Sequence, residues 1–406
     1  MKIIPFIIVL AGVYTVPAHG QGYGRFLEEV ASNNLELSSS ADMMAAELAT
    51  LKSENNLPDP EVGFDYMWGR HDVGNKYALS VTQSFDWPGL YHARAKAAKT
   101  TSMAMASLAR ARCMDKMMEV EQLFIDIINT RKNLALYSES MRLLDSLMAK
   151  YSKGAANGEF TRLDVNKIRL SQLSVCRRKA DIQTQLDGLV SDLQATNGGK
   201  PCAHIVDGLS DYEHRALRPE DEYLAQVERY DPQVMSSVLT RQSQEQMVKV
   251  AKMGNLPSFS IGYAYENEPD EIHNGISVSM TLPFFSNRNK VKAAKYAARA
   301  AETDIAAMMV DRNTVMRSDY EKARVLKTEL DEYDEIFGNS DYLTLLKKSL
   351  DGGQMSLLDY IQEMQYYLDE MSTMLSTAYE LQQVMARLNR YSLLDHIPTP
   401  DRLDTT

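Results

Sequence analysis

The chain has 406 residues, 44 of them basic and 55 acidic, for a net charge of −11. That balance lacks the basic face nucleic-acid binding needs, and 44% hydrophobic with 24% charged residues is the composition of a folded protein, not a disordered one. Three cysteines without CxxC spacing make neither a disulfide framework nor a zinc site, and no apolar run beyond the N-terminus is long enough for a membrane helix.

Met1–Gly20 (MKIIPFIIVLAGVYTVPAHG) places Lys2 before the apolar run Ile3–Val13, followed by the small residues Ala18 and Gly20. The pattern predicts a secretory signal cleaved after Ala18 or Gly20, and a mature chain that works outside the cytoplasm. No cysteine lies near that site, so a lipid-anchored N-terminus is not expected. Cys113, Cys176 and Cys202 are read as small buried apolar residues.

The rest of the chain is two copies of one plan. Asn56-Leu57-Pro58 returns as Asn255-Leu256-Pro257, and Gly63-Phe64-Asp65-Tyr66 as Gly262-Tyr263-Ala264-Tyr265. Ser80-Val81 returns as Ser277-Val278, Ala97-Ala98-Lys99 as Ala293-Ala294-Lys295, and Gly158 with Leu163-Asp164 as Gly353 with Leu358-Asp359. The first repeat is expected over residues 21–196 and the second over 211–390, with a linker at 197–210 and a tail at 391–406. Each copy predicts a lead-in helix of about 30 residues, two short strands, a very long helix, a glycine-bearing turn and a long return helix.

The strands are Glu61–Trp68, Tyr77–Phe85, Ser258–Tyr265 and Gly275–Leu282. Each alternates apolar with small or polar residues, as a half-buried strand does. Phe64, Tyr66, Leu79, Val81, Ile261, Tyr263, Ile276 and Val278 fall on the apolar faces, opposite residues such as Ser80, Thr82, Ser277 and Ser279. At this length they approach the 9–11 residues, roughly, of a tilted membrane strand. A soluble sheet on a core remains the alternative for any single hairpin. Four strands do not close a barrel, and an open edge does not sit in lipid, so strands that span require the chain to oligomerise.

From about Leu90 to Asn157 the only Gly is Gly154 and there is no Pro. Such a helix reaches about 90–100 Å. Met117, Val120, Phe124, Ile127, Leu134, Met141, Leu144, Met148 and Tyr151 make a 3–4 seam, repeated in the return helix of copy two from Ile361 to Leu388. Alanine-rich stretches after each second strand (Ala93–Ala106, Ala293–Ala301) permit close helix neighbours on two sides.

Together these residues resemble the TolC family of outer-membrane efflux channels over nearly the whole mature chain. The LP pairs before the first strand of each copy carry the resemblance. So do the two hairpin tips, Gly158-Glu159-Phe160-Thr161-Arg162-Leu163-Asp164 and Gly353-Gln354-Met355-Ser356-Leu357-Leu358-Asp359. Tyr230-Asp231-Pro232 also looks like the family's lead-in to its second copy, although Asn33-Asn34-Leu35 has no proline.

The resemblance implies a mainly α fold with a small β part: long coiled-coil hairpins in an α-barrel, with four strands per protomer in a trimeric twelve-stranded transmembrane β-barrel. It implies a homotrimeric exit duct in the outer membrane of a Gram-negative bacterium, its long helical part in the periplasm. The partners would be outer-membrane lipid, a periplasmic adaptor and an inner-membrane transporter, RND-type. The cargo would be small molecules or metal cations. The eight apolar strand positions would face lipid, with Tyr66 and Trp68 at one end and Trp87, Phe284 and Phe285 at the other as aromatic girdles. Arg25–Asn55, Asp211–Met253 and the tail after Leu388 would form an equatorial belt.

The resemblance further implies that Asp359, and its counterpart Asp164, line a periplasmic aperture. On the residues' own terms each is equally a helix cap. The exposed tip residues Lys153, Gly158, Glu159, Gly353 and Gln354 would meet the adaptor. Where the family's closing latch has an aromatic and a basic residue, this sequence has Leu350 and Met355.

No HExxH, GxSxG or phosphate-cradling loop is present, so no catalytic, cofactor-binding or metal-ligating residues and no cofactor are expected. His71 and His273, with Asp72, Glu266, Glu268, Asp270 and Glu271, read as solvated acidic loops, with a cation-exit funnel as the alternative. The 23 methionines suit Cu(I), but their seam spacing favours packing. A periplasmic coiled-coil scaffold without a pore is the alternative function.

Overall fold

The structure is a computed structural model, and it describes residues 20–70, 74–268, 271–285, 287–337 and 342–396. The signal segment up to residue 19, His71, Asp72, Asp270 and the end of the tail lie outside the described residues. The elements in order are α1 (Gly20–Asn33), α2 (Leu35–Ser53), β1 (Glu61–Met67), β2 (Lys76–Phe85), α3 (Pro88–Ala156), α4 (Arg162–Thr196) and α5 (Ala203–Gly208). They continue with α6 (Glu220–Tyr230), α7 (Pro232–Met253), β3 (Ser258–Asn267), β4 (Ile272–Thr281), α8 (Lys290–Phe337), α9 (Tyr342–Asp351) and α10 (Leu357–Leu388), then a 3₁₀ turn at Arg390–His396.

The order repeats itself, as the duplication requires, with two additions to the sequence reading. Each lead-in helix is two helices, not one. Asn34 Oδ1 accepts the Leu37 N–H at 3.0 Å and starts α2, and the buried Asp231 carboxylate accepts the Gln233 and Val234 N–H groups at 2.8 and 3.2 Å and starts α7. Asn34 therefore does without a proline what Asp231 does with Pro232 behind it. In copy two the long helix is described as α8 and α9, with residues 338–341 between them outside the description. The 197–210 linker is folded: it contains α5, buries Cys202, Ile205 and Leu209, and gives its Val206 and Leu209 carbonyls to Arg131 at 2.6 and 2.7 Å.

Two compact units divide the chain, and both copies contribute to each. Among the described residues, one gathers those up to Leu37 with Cys113–Gln226 and 313–396. It is all helical. Its seam is the predicted one: Met117, Val120, Phe124, Ile127 and Leu144 are fully buried, as are Met364 and Leu388 in α10. In α4, Ile168, Val175 and Ile182 recur every seventh residue on the buried stripe. Cys176 follows that stripe by one residue and is exposed, which corrects its reading as a buried thiol; Cys202 is buried and Cys113 half-buried.

The other unit holds Ser38–Arg112 and Val227–Arg312. In α3, Ala97, Ala104 and Ala111 are buried at heptad spacing. Small side chains there let α7 lie close. Ser236 Oγ donates to the Ala104 carbonyl at 2.9 Å, Ser107 Oγ to that of Pro232 at 2.8 Å, and Thr101 and Ser243 share a hydroxyl bond of 2.6 Å. The strands form one antiparallel sheet in the order β1-β2-β3-β4, which leaves β1 and β4 as its edges.

Candidate functional site

The sheet's register joins its apolar residues into rows. Val62, Val81, Tyr263 and Ile276 lie opposite one another across all four strands, Phe64 pairs with Leu79 and Leu79 with Tyr265, and Ile261 pairs with Val278. Tyr66 pairs with Tyr77 on the same face. All eight strand positions singled out in the sequence therefore share one face, and all are exposed, Ile276 at 79% and Val278 at 73%. An apolar face this large costs free energy in water.

The opposite face is small and polar. Ser80, Ala264 and Gly275 share a row with Gly63, and Thr82, Gly262 and Ser277 share the next with Glu61. A Cβ at Gly262 would lie 2.7 Å from Ser277 Oγ and 2.8 Å from Thr82 Oγ1, so crowding on this face requires glycine there. At one end of the sheet Lys76 pairs with Glu266 and Glu268 at 2.9 and 2.8 Å. The aromatics flank the apolar band: Trp68 packs edge-on to Tyr66 with centroids 5.4 Å apart, and Trp87 lies 6.0 Å from Phe259.

The hairpin tips are built twice to one pattern. In the first, the Glu159 N–H donates to the Gly154 carbonyl at 2.8 Å and that of Gly158 to Ala155 at 3.3 Å. In the second, Gln354 donates to Ser349 at 2.9 Å and Gly353 to Leu350 at 3.1 Å. This crossed pair closes a helix C-terminus, and it needs a left-handed residue: Gly158 has φ 80° and Gly353 has φ 71°. A capping box then opens each return helix. The Thr161 hydroxyl and N–H donate to Asp164 Oδ2 at 2.7 and 3.2 Å, and the Ser356 hydroxyl and N–H to Asp359 Oδ2 at 2.7 and 3.4 Å. Thr161's bonds, with Lys167 nearby, hold the Asp164 carboxyl below the usual carboxylate range.

Tyr151 stacks on Phe160 with centroids 4.0 Å apart, and at the matching positions of copy two Leu346 and Met355 pack into the same apolar cluster. Leu350 belongs to that cluster too, so the two positions at which the resemblance led us to look for a latch are packing residues here. Lys153, Gly158, Glu159, Gly353 and Gln354 are all exposed.

Solved structures share this architecture over nearly the whole chain. The Campylobacter jejuni CmeC outer membrane channel matches with a TM-score of 0.70 at 16% identity, covering 94% of this chain and 87% of that one. A membrane protein from Pseudomonas aeruginosa matches at 0.71 and 16% identity, covering 91% and 90%. The open state of the Neisseria gonorrhoeae MtrE outer membrane channel matches at 0.68 and 13% identity, covering 93% and 90%. The chain has the fold of an outer-membrane channel. No family model matches the sequence, and no curated protein does.

In this channel fold Asp164 and Asp359 are each the third helical residue of a capping box whose N-cap is Thr161 or Ser356, and Asp359 is exposed where Asp164 is half-buried. Two features of the tips go beyond the sequence motif. Leu163 and Leu358 occupy the same position in the two copies and are both exposed, at 64% and 45%. Lys150 of the first hairpin bonds Asp351 of the second at 2.7 Å.

A buried charge was missed as well. Glu121 is 2% exposed beside the α3 seam, where burial pushes its carboxyl up and Arg215, 2.6 Å away, pulls it back. Its placement next to Val120 in an apolar seam was the available signal. Among the described residues no group of His, Cys, Asp and Glu could hold a metal, and no helix is long and apolar enough to cross a membrane.

Proposed function

We propose that the protein is a passive outer-membrane exit duct, three chains around one pore, that carries small molecules or metal cations out of a Gram-negative cell. The single observation that carries this reading is the sheet: one exposed apolar face in continuous cross-strand register, one small polar face, and two open edges. Lipid satisfies the apolar face, water satisfies the polar one, and β4 of one copy against β1 of the next satisfies the edges. Three copies supply twelve strands. The resemblance to the efflux-channel family and the fold it shares with CmeC and MtrE support the same reading.

Such a duct hydrolyses nothing. Its transport energy comes from an inner-membrane transporter, RND-type, through a periplasmic adaptor that meets the tips at Lys153, Gly158, Glu159, Gly353 and Gln354. Exposed Leu163 and Leu358 are apolar anchors suited to that contact. A ring of three Asp359 carboxylates would give the aperture a negative field.

The test is where the protein goes and how many chains travel together. The duct reading expects it in the outer-membrane fraction, and as a trimer by light scattering in detergent. A soluble monomer from the periplasm would support the pore-free scaffold instead.

A further inference from the structure

We propose that the turn from β4 into α8 is a binding site for the phosphate headgroup of anionic phospholipid in the membrane leaflet nearest the helices. The proposal rests on the reading of the sheet as membrane-spanning. A cavity of about 470 Å³ lies at this turn, and Phe284, Arg288, Lys292 and Lys295 are among its walls. Lys292 and Lys295, three residues apart in α8, share a helix face, and Arg288 in the turn just before the helix lines the same cavity. All three are exposed, and among the described residues none is paired with a carboxylate; Lys292 instead sits 5.9 Å above the Tyr296 ring.

The surrounding sequence has the same bias. Residues 272–301 contain no Asp or Glu, in a chain with net charge −11. Copy one repeats this. Residues 87–114 contain no acid, and His92, Lys96 and Lys99 stand where Arg288, Lys292 and Lys295 stand, each 196 positions earlier. A solvated helix face has no reason to lose its acids at the same place twice. The other end of the sheet is unlike it, with Glu266 and Glu268 around Lys76.

The site's position argues for lipid. Phe284, 76% exposed, lies three residues past the end of β4 and lines the cationic cavity, so an exposed aromatic ring stands where the sheet gives way to the helix. An aromatic ring beside Lys and Arg is the composition of a bilayer interface. Lys292 and Lys295 are about 4.5 Å apart along the helix axis. A headgroup layer is roughly 5–8 Å deep on each side of the bilayer, within the reach of snorkelling Lys and Arg side chains.

The test uses full-length protein in nanodiscs of phosphatidylcholine with or without phosphatidylglycerol, and counts retained lipid by native mass spectrometry after transfer to detergent. The proposal expects phosphatidylglycerol to be retained about tenfold over phosphatidylcholine, and expects R288Q/K292Q/K295Q to lose that preference. The control R169Q/R177Q/K179Q, which removes equal charge from α4, should keep it. If the triple variant fails to assemble, K292Q alone should still weaken retention. Equal retention of both lipids by a protein that inserts and conducts would overturn the site and leave the channel reading standing. Displacement by millimolar inorganic phosphate would overturn it in favour of a free-anion site. Failure to insert into either bilayer would overturn the channel reading, and the site with it.

Discussion

Lys150 near the tip of the first helical hairpin grips Asp351 near the tip of the second, Nζ to Oδ1 at 2.7 Å. The two residues lie in different copies of the duplicated plan, and their bond crosses the apolar cluster of Tyr151, Leu346, Leu350 and Leu357 that joins the tips. Both side chains are about half exposed, so the pair contributes little to global stability, about 0–1 kcal/mol. Its effect should be local. Lys150→Gln is expected to leave the melting curve nearly unchanged while amide exchange at 150–160 and 349–356 accelerates, and the charge swap K150D/D351K should restore protection. Unchanged exchange in Lys150→Gln would show that the apolar cluster alone holds the tips.

The capping boxes give the tips their second constraint. Ser356→Ala removes the hydroxyl that accepts the Asp359 N–H and should cost about 1 kcal/mol. Asp359→Asn keeps an acceptor but loses the charge, so stability should change little while a carboxylate ring, if formed, would lose its cation preference. Stability from single Ser356→Ala by denaturant titration, set beside the cation selectivity of Asp359→Asn, separates the cap from the aperture.

Asp164 adds a pH dependence. Its folded carboxyl titrates below its unfolded one, so its contribution is present above the unfolded value near pH 4 and is lost as pH falls through the lower folded value. Exchange protection at the first tip should therefore decline in acid, and Thr161→Val should move that decline to higher pH. A decline at the same pH in both proteins would remove Thr161 as its cause.

The strand faces make a paired prediction. Val81 lies between Val62 and Tyr263 on the apolar face, and Ser80 between Gly63 and Ala264 on the other. Val81→Arg should cost about 2–4 kcal/mol near the bilayer centre and reduce insertion. Ser80→Arg should insert and lower the conductance. Equal insertion of the two variants would mean that the faces are assigned wrongly.

The buried pair Glu121–Arg215 should be the most sensitive point of the helical unit. Arg215→Ala leaves Glu121 buried without its 2.6 Å partner, at a cost of about 3–5 kcal/mol. A double substitution with Glu121→Leu should recover much of that loss. Denaturant midpoints of the two variants check it, and no recovery in the double would point to lost packing of Arg215 instead.

Much of this fold was legible because two periods run through the sequence and each appears twice. Alternation at Val81, Ile261 and Ile276 marks the strands, and the 3–4 spacing through Met117, Phe124 and Leu144 marks the seam. What was not legible depends on partners far apart in the chain. Asn34 does not look like a helix break until its side chain is seen to accept the Leu37 N–H, because proline was the expected signal. The folding of 197–210 depends on Arg131, more than sixty residues earlier, reaching its carbonyls. Glu121 is tolerable in the seam only because Arg215 meets it. At the tips the aspartates were legible as helix starts, whereas the crossed backbone bonds by which Gly158 and Gly353 close the preceding helices were not.

The most direct test of the whole account is the current through a planar bilayer to which detergent-purified, full-length protein is added. A duct predicts discrete, long-lived steps of uniform size that grow with salt concentration and are lost in Val81→Arg. A bilayer that stays silent, with the protein remaining monomeric in the bath, would contradict it.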